Sequence, residues 1–329
     1  MRRRDVLKLA AFSAGALAGA QSNAYPLASD TAPTHATPPR LDAHIHLFDT
    51  ARPGGVPWPE KTDTALYQPA LPARYAALSA PFGIVGAIAV EASPLPSDND
   101  WLLAVAEQNP IIVGIVGDLI PGSETYRYQL ERLHENPLFL GFRYGNLWNR
   151  DLAADLGKPG FVAGLKELSQ ANLVFESANP DPRLIRAILE VSDRVPGLRI
   201  VVDHLPNAQV PAAQSAQQAY WADLHRLSQN PRIFVKISEI PVVAEGKLIA
   251  SAAYYRARVD GLWNLFGDDR VLFGSDWPNS DHVAPFAATL RIVEQYIAQK
   301  TPQAAAKYYA KNSIAAYQWR ARTSAQAAL

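Results

Sequence analysis

The segment Leu41-Asp42-Ala43-His44-Ile45-His46 decides the fold when it is read together with Phe273-Gly274-Ser275-Asp276-Trp277-Pro278 far downstream. The first segment has the pattern of a short strand that ends in His-x-His, and side chains two apart on a strand point to the same face. The second segment has the pattern of a strand whose end carries a carboxylate. Two histidines and an aspartate from opposite ends of the chain can meet only if the sheet closes on itself, so the two segments together predict a barrel.

Short apolar runs alternate with helical patterns after residue 40, which is typical of a parallel sheet built from βα units. Eight strands are predicted: Leu41–His46, Gly83–Glu91, Ile111–Asp118, Phe139–Arg143, Asn172–Glu176, Arg199–Asp203, Arg232–Ile237 and Arg270–Asp276. Eight such units match an α/β protein with a single-domain (β/α)8 TIM barrel over residues 40–329. A doubly wound open sheet is the alternative, but it would leave the first and last strands apart.

Residues 1–24 have the pattern of a twin-arginine signal peptide. Arg2-Arg3-Arg4-Asp5 precedes an apolar run from Leu9 to Ala20, and small residues at two positions offer cleavage sites. The run is shorter than the roughly 20 residues that span a bilayer. We therefore expect export to the periplasm by the Tat machinery, without a stable membrane anchor. Residues 25–39 are rich in Pro, Thr, Ala and Ser and are expected to form a linker.

The composition excludes several classes of function. The chain of 329 residues has no cysteine, which excludes disulfides, thiolate ligands and a cysteine nucleophile. Residues 1–24 hold four of the 31 basic and one of the 31 acidic residues, so the remainder carries a net charge of −3. That balance gives no indication of binding to nucleic acid or to an anionic membrane.

Ionisable side chains stand at the carboxyl ends of all eight predicted strands, where TIM barrels carry their active sites. They are His44, His46, Glu91, Asp118, Arg143, Glu176, His204, Lys236, Glu239 and Asp276. Asp118, and to a lesser degree Glu239, also fit the start of a solvated loop. The three histidines and Asp276 fit that interpretation poorly, because each follows an apolar strand.

Six segments in this order resemble the amidohydrolase superfamily, in particular its amidohydrolase-2 branch, which includes sugar-lactone and pyrone-dicarboxylate lactonases. The segments are Asp42–Asp49, Gly114–Leu119, Gly141–Tyr144, Val201–Pro206, Val235–Ser238 and Phe273–Pro278. The resemblance extends over residues 40–319 and implies a TIM-barrel hydrolase that uses an activated water molecule.

The resemblance also implies a set of metal-binding and catalytic residues. His44, His46 and Asp276 are expected to bind a single divalent ion such as Zn²⁺ or Mn²⁺, and His204 is either a further ligand or an electrophile. Asp276 would accept a proton from water and pass it to the leaving oxygen.

Two strand ends differ from the metal-rich pattern of the superfamily. Arg143 ends the fourth strand and Glu176 ends the fifth, where many metal-dependent members have other residues. A reaction that needs no metal, in which the histidines stabilise charge on the carbonyl oxygen, therefore stays open at this point.

Four charged candidates are expected to bind substrate. Arg143 and Lys236 can each hold a carboxylate or a hydroxyl, with a structural ion pair as the alternative for each. Glu91 and Glu176 would instead bind sugar hydroxyls, which would favour a polyol lactone over a dicarboxylate.

Trp58 and Trp277 follow the first and eighth strands and are candidates for contact with a sugar ring, with ordinary packing as the alternative.

The leading hypothesis is a periplasmic hydrolase that opens a small lactone derived from a sugar or an organic acid. A non-oxidative decarboxylase on the same framework and a periplasmic binding protein without turnover are the alternatives. A small-molecule substrate is expected in each case.

Overall fold

The computed structural model describes residues 38–178, 180–208 and 210–329. The predicted signal peptide, residues 1–24, and most of the predicted linker, residues 25–39, lie outside the described residues. In the described part of the chain, no helix is long and apolar enough to span a membrane.

Eight parallel strands form one sheet whose order follows the chain, so the predicted TIM barrel is confirmed. The strands are β1 (Arg40–His46), β2 (Ile84–Val90), β3 (Ile112–Gly117), β4 (Phe139–Arg143), β5 (Val174–Ser177), β6 (Arg199–Val202), β7 (Ile233–Ile237) and β8 (Val271–Phe273). A short antiparallel hairpin, Val243–Ala244 with Lys247–Leu248, lies in the connection after β7. The last strand is three residues long and ends before Asp276, earlier than the sequence pattern predicts.

Helices surround the barrel and complete the βα units. They are α1 (Pro72–Ser79), α2 (Ser97–Gln108), α3 (Tyr126–His134), α4 (Leu152–Asp155), α5 (Phe161–Gln170), α6 (Pro182–Arg194), α7 (Gln214–Ser228), α8 (Ala252–Phe266), α9 (Phe286–Ile297), α10 (Pro302–Ala306), α11 (Asn312–Tyr317) and α12 (Ser324–Ala327). The largest apolar layer lies between these helices and the sheet, and a smaller one fills the barrel interior.

Backbone hydrogen bonds join the carboxyl ends of β1 and β8 and close the barrel. The amide of His46 donates to the carbonyl of Trp277 (2.7 Å), and the amide of Asp276 donates to the carbonyl of His44 (2.9 Å). Closure therefore brings the two decisive segments of the sequence side by side.

A glycine and a buried carboxylate complete this junction. A Cβ atom on Gly274 would lie 2.7 Å from the Cβ of His44, so only glycine allows the two backbones to approach this closely. Asp42 accepts hydrogen bonds from the amide of Ser275 (2.9 Å) and the hydroxyl of Tyr75 (2.9 Å). Both interactions hold β1 in place for the histidines that follow Asp42.

An irregularity in β1 re-aims its last residues. The pairing of β1 with β2 shifts register between Asp42 and Ile45. Leu41 and Ala43 belong to the apolar layer inside the barrel, whereas His44 and His46 contact one another at its carboxyl end. A bulge of this kind changes which face a side chain occupies, and it places both imidazoles over the apolar interior.

Candidate active site

His44, His46 and Asp276 form a compact triangle at the carboxyl end of the barrel. The Nε2 atoms of the two histidines lie 3.2 Å apart, and the Oδ1 atom of Asp276 lies 3.5 Å from that of His44 and 3.3 Å from that of His46. All three side chains are buried, and Asp276 Oδ1 has no hydrogen-bond partner among the described residues. Three potential donor atoms thus converge on one small space, and one of them is unsatisfied.

The dimensions of this triangle fit a divalent cation. Ligand atoms about 2.0–2.1 Å from a tetrahedral Zn²⁺ ion lie about 3.3–3.4 Å from one another. Burial and the charge of Lys236 lower the pKa of His44 well below its ordinary value, which keeps this imidazole neutral. Burial alone would raise the pKa of Asp276, but the imidazoles of His46 and His204 outweigh it and hold the pKa below its ordinary value. The ionisation states therefore suit a metal centre.

The orientation of His46 is set by the neighbouring strand. Its Nδ1 atom lies 3.0 Å from the carbonyl oxygen of Val90, the last residue of β2. A carbonyl oxygen can only accept, so Nδ1 carries the proton and donates. The lone pair of Nε2 is then free to face His44 and Asp276.

His204 stands beside this triangle and follows β6. Its ring centroid lies 5.0 Å from that of His44, and its Nδ1 atom lies 3.1 Å from the hydroxyl of Ser238. The Nε2 atom faces the carboxylate of Glu239 at 3.6 Å. Ser238 therefore orients the ring of His204 through Nδ1, and Nε2 lies on the side of the partly exposed Glu239.

A buried network of charged side chains contacts His44 at its Nδ1 atom. The Nζ atom of Lys236 lies 2.9 Å from His44 Nδ1, 2.7 Å from Glu176 Oε1 and 3.0 Å from Asp203 Oδ1. The hydroxyl of Tyr317 donates to Glu176 Oε2 (2.5 Å). Burial raises the pKa of Glu176 to about 7, while Lys236 and His44 hold the pKa of Asp203 well below its ordinary value despite its burial.

Lys236 and Glu176 are inaccessible to solvent in this network, and each is engaged by the other. Contact with substrate was predicted for both, with a structural ion pair as the alternative for Lys236. The structure contains that ion pair next to His44, and a role of either residue in substrate binding stays a prediction.

Glu91 and Arg143 hold one another at the wall of the site. Arg143 donates from Nε to Glu91 Oε1 (2.8 Å) and from Nη2 to the Glu91 carbonyl (2.9 Å), and its Nη1 atom lies 3.4 Å from Asp203 Oδ2. The indole of Trp148 donates to Glu91 Oε2 (2.9 Å). The alternative of a structural ion pair for Arg143 is thus present in the structure, and its role in substrate binding stays a prediction.

The two tryptophans occupy different environments. Trp58 is half-buried with its ring 5.7 Å from that of His46, so it lies beside the site, and its contact with substrate stays a prediction. Trp277 is inaccessible to solvent, and its ring packs 5.4 Å from that of Tyr75 on α1. The proposed contact between Trp277 and substrate is corrected accordingly: this side chain belongs to the layer between barrel and helices.

Three further residues complete the site. Asp203 directly precedes His204, so its place after a strand was a usable signal in the sequence. Asn279 donates to Asp276 Oδ2 (2.7 Å) from three residues downstream. Tyr317 comes from the C-terminal α11, and no local pattern links it to the site.

The fold and this site define a TIM-barrel hydrolase with a histidine–aspartate centre. Residues 41–319 match the amidohydrolase family, and the chain belongs to that family.

Two sequence relatives share most of their length with it. An L-fucono-1,5-lactonase from Burkholderia ambifaria is 30% identical over 263 residues, which cover 78% of this chain and 87% of the relative. A second L-fucono-1,5-lactonase, from Burkholderia multivorans, is 26% identical over 272 residues, or 78% and 88% of the two chains.

A solved structure shares the fold. An amidohydrolase from Burkholderia multivorans with bound zinc superposes with a TM-score of 0.74 at 20% identity, over 86% of this chain and 100% of that one. The family match and the two lactonase relatives identify the chain as an amidohydrolase-type enzyme. Its cluster of His44, His46 and Asp276 has the donor set for a metal ion.

Proposed function

We propose that this protein opens uncharged, hydroxyl-rich lactones derived from sugars. The relatives that act on L-fucono-1,5-lactone support the reaction. The observation that carries the choice of substrate is the charge of the site.

The site holds more acidic than basic side chains. Its carboxylates come from Glu91, Glu176, Asp203, Glu239 and Asp276. Two of its cations, Arg143 and Lys236, are both engaged by these carboxylates. A substrate with two carboxylates would therefore find both of these cations already paired, whereas hydroxyl groups would find acceptors.

The chain supplies the groups that lactone hydrolysis requires. The hydroxyl of Ser238 can donate to His204 Nδ1, which leaves the proton on Nε2 for the lactone carbonyl oxygen. Asp276 accepts a proton from water as the water oxygen bonds to the carbonyl carbon. The ring C–O bond then breaks, and the departing oxygen takes that proton, so the product is a hydroxy acid.

We further propose that His44, His46 and Asp276 hold one divalent cation, with Zn²⁺ the best fit. Such an ion supplies Lewis acidity toward the carbonyl group of a substrate. The lone pair on Nε2 of His46 would face such an ion, because Nδ1 of that ring donates to Val90, and the burial of His44 and His46 limits the access of competing water.

A substrate panel tests the proposed function. It contains L-fucono-1,5-lactone, other aldonolactones, 2-pyrone-4,6-dicarboxylate and the hydroxyl-free δ-valerolactone, with proton release as the readout. We expect kcat/KM for the best sugar lactone to exceed that for the dicarboxylate by at least about 100-fold, which corresponds to nearly 3 kcal/mol. Hydrolysis of the dicarboxylate at a comparable rate, or evolution of CO2 in place of ring opening, would overturn the proposal.

Variants of two aspartates in the same segment complete the experiment. Asp276→Asn should lower kcat by about 10²- to 10⁴-fold, because the group that accepts the proton is lost. Asp281→Asn is the matched control, since the half-buried carboxylate of Asp281 faces Arg74 across 3.6 Å. Unchanged turnover in Asp276→Asn would refute the assigned role.

A further inference from the structure

The functional residues that follow three adjacent strands share a left-handed backbone conformation. His204, Glu239 and Asp276 follow β6, β7 and β8, and their φ angles are 61°, 53° and 58°. This left-handed region is unfavourable for residues other than glycine, asparagine and aspartate, and it concentrates at functional sites. A potential ligand atom from each of the three residues lies within 4.8 Å of the others.

Glu239 occupies the outer end of this group. Its Oε1 atom lies 3.6 Å from His204 Nε2 and accepts from the side-chain Nδ2 of Asn279 (3.4 Å), which also donates to Asp276. The Glu239 side chain is 43% exposed, whereas that of Asp276 is 1% exposed. In the described part of the chain, no lysine or arginine pairs with Glu239.

The inner end of the group is the reacting end. Among the described residues, Asp276 Oδ1 is buried without a hydrogen-bond partner beside the two metal-binding candidates, and His204 Nε2 lies 3.6 Å from Glu239 Oε1. A lactone whose carbonyl oxygen accepts from His204 Nε2 would lie within reach of Glu239, because the Oε1 atom of Glu239 is 3.6 Å from that nitrogen. A carboxylate without a cationic partner is a strong acceptor for a hydroxyl group at that position.

We propose that Glu239 is a specificity-determining residue that accepts a hydrogen bond from the hydroxyl adjacent to the lactone carbonyl. This inference rests on the proposed function and adds the substrate class: 2-hydroxy lactones. The strained backbone fits the proposal, because a glycine would adopt this conformation without cost but would lack the acceptor.

The test compares paired variants on paired substrates. Glu239→Gln and Glu239→Gly are assayed on the best sugar lactone of the panel, on its 2-deoxy counterpart and on δ-valerolactone. For the 2-hydroxy lactone, kcat/KM should fall about 10- to 100-fold, mainly through KM, with the larger loss in the glycine variant. For the two substrates without that hydroxyl, kcat/KM should stay within about twofold.

Glu245 provides the matched control. It is also a glutamate with a left-handed backbone (φ 50°), and it lies exposed in the turn of the hairpin after β7. Glu245→Gln and Glu245→Gly should leave the preference for the 2-hydroxy lactone unchanged. The thermal midpoint of Glu239→Gly should equal or exceed that of the wild type, since the substitution relieves backbone strain.

The outcomes separate the two proposals. An equal loss on the 2-hydroxy and 2-deoxy lactones in the Glu239 variants, with an active wild type, would overturn the specificity role alone. A wild type that hydrolyses no sugar lactone would overturn the proposed function, and this inference with it.

Discussion

Asp118 illustrates how burial acts on a single carboxylate in this protein. It follows β3, and its two oxygens accept hydrogen bonds from Arg150 at 2.5 and 2.6 Å. Burial nevertheless raises the pKa of Asp118 to about 6, because the desolvation outweighs the effect of Arg150. The residue shapes the wall of the site, and ionisation of its carboxyl group destabilises the folded state.

This cost predicts a pH dependence of stability. Below pH 4 Asp118 is protonated in both states; between pH 4 and 6 the unfolded chain loses this proton and the folded chain keeps it. Its contribution to the free energy of unfolding therefore falls by up to about 3 kcal/mol as the pH rises through this range. Urea denaturation at pH 4, 5, 6 and 7 should show this decline relative to Asp118→Asn.

A surface aspartate is the control for that measurement. Asp100 pairs with Arg132 and its side chain is 57% exposed, so Asp100→Asn should follow the wild type across the whole range. Parallel stability curves for the wild type and Asp118→Asn would contradict the prediction.

His46 permits a direct test of metal binding. The purified wild type should contain about one equivalent of a divalent ion, and His46→Asn should bind Zn²⁺ at least about 100-fold more weakly, because one of three donors is removed. Competition with a chromogenic chelator measures this affinity without an activity assay. His225→Asn, an exposed histidine on α7, should retain wild-type affinity. Equal metal content in wild type and His46→Asn would exclude the assigned centre.

At the scale of elements, the eight strands could be predicted because each is a short apolar run between helical patterns. The ends of β1 and β8 also identified His44, His46 and Asp276, since strand alternation and barrel closure suffice to bring them together. The bulge in β1 was not foreseeable, because its cause is the local pairing with β2.

Trp277 shows why some contacts around the site could not be predicted from the sequence. It forms a bridge to Ile45 beyond the end of the last strand, and its indole is buried in the apolar layer between the barrel and the helices. There it packs on Tyr75 of α1, a helix that the sequence pattern did not single out. The same holds for Tyr317, whose contact with Glu176 spans 141 positions of the sequence. Contacts of this kind depend on tertiary packing rather than on local pattern.

At the scale of the whole molecule, the cellular location of the protein is expected to depend on residues that precede the folded domain. We propose that residues 1–24 direct export to the periplasm. The chain has no cysteine, so its folding depends on no disulfide and is compatible with either compartment. Protein retained in the cytoplasm should therefore be as active as exported protein. The activity measured in separated cytoplasmic and periplasmic fractions then shows where the protein is.

Replacement of the arginine pair tests this proposal. Arg3→Lys combined with Arg4→Lys should abolish the periplasmic fraction in a bacterial host and leave active precursor in the cytoplasm, because the export signal requires the pair. Arg2→Lys is the control, since it conserves the pair and should be exported normally. N-terminal sequencing of the exported wild type should give Gln21 or Tyr25 as the first residue, in accordance with the two small-residue cleavage sites. Periplasmic accumulation of the double variant at the wild-type level would show that residues 1–24 direct export by another route or not at all.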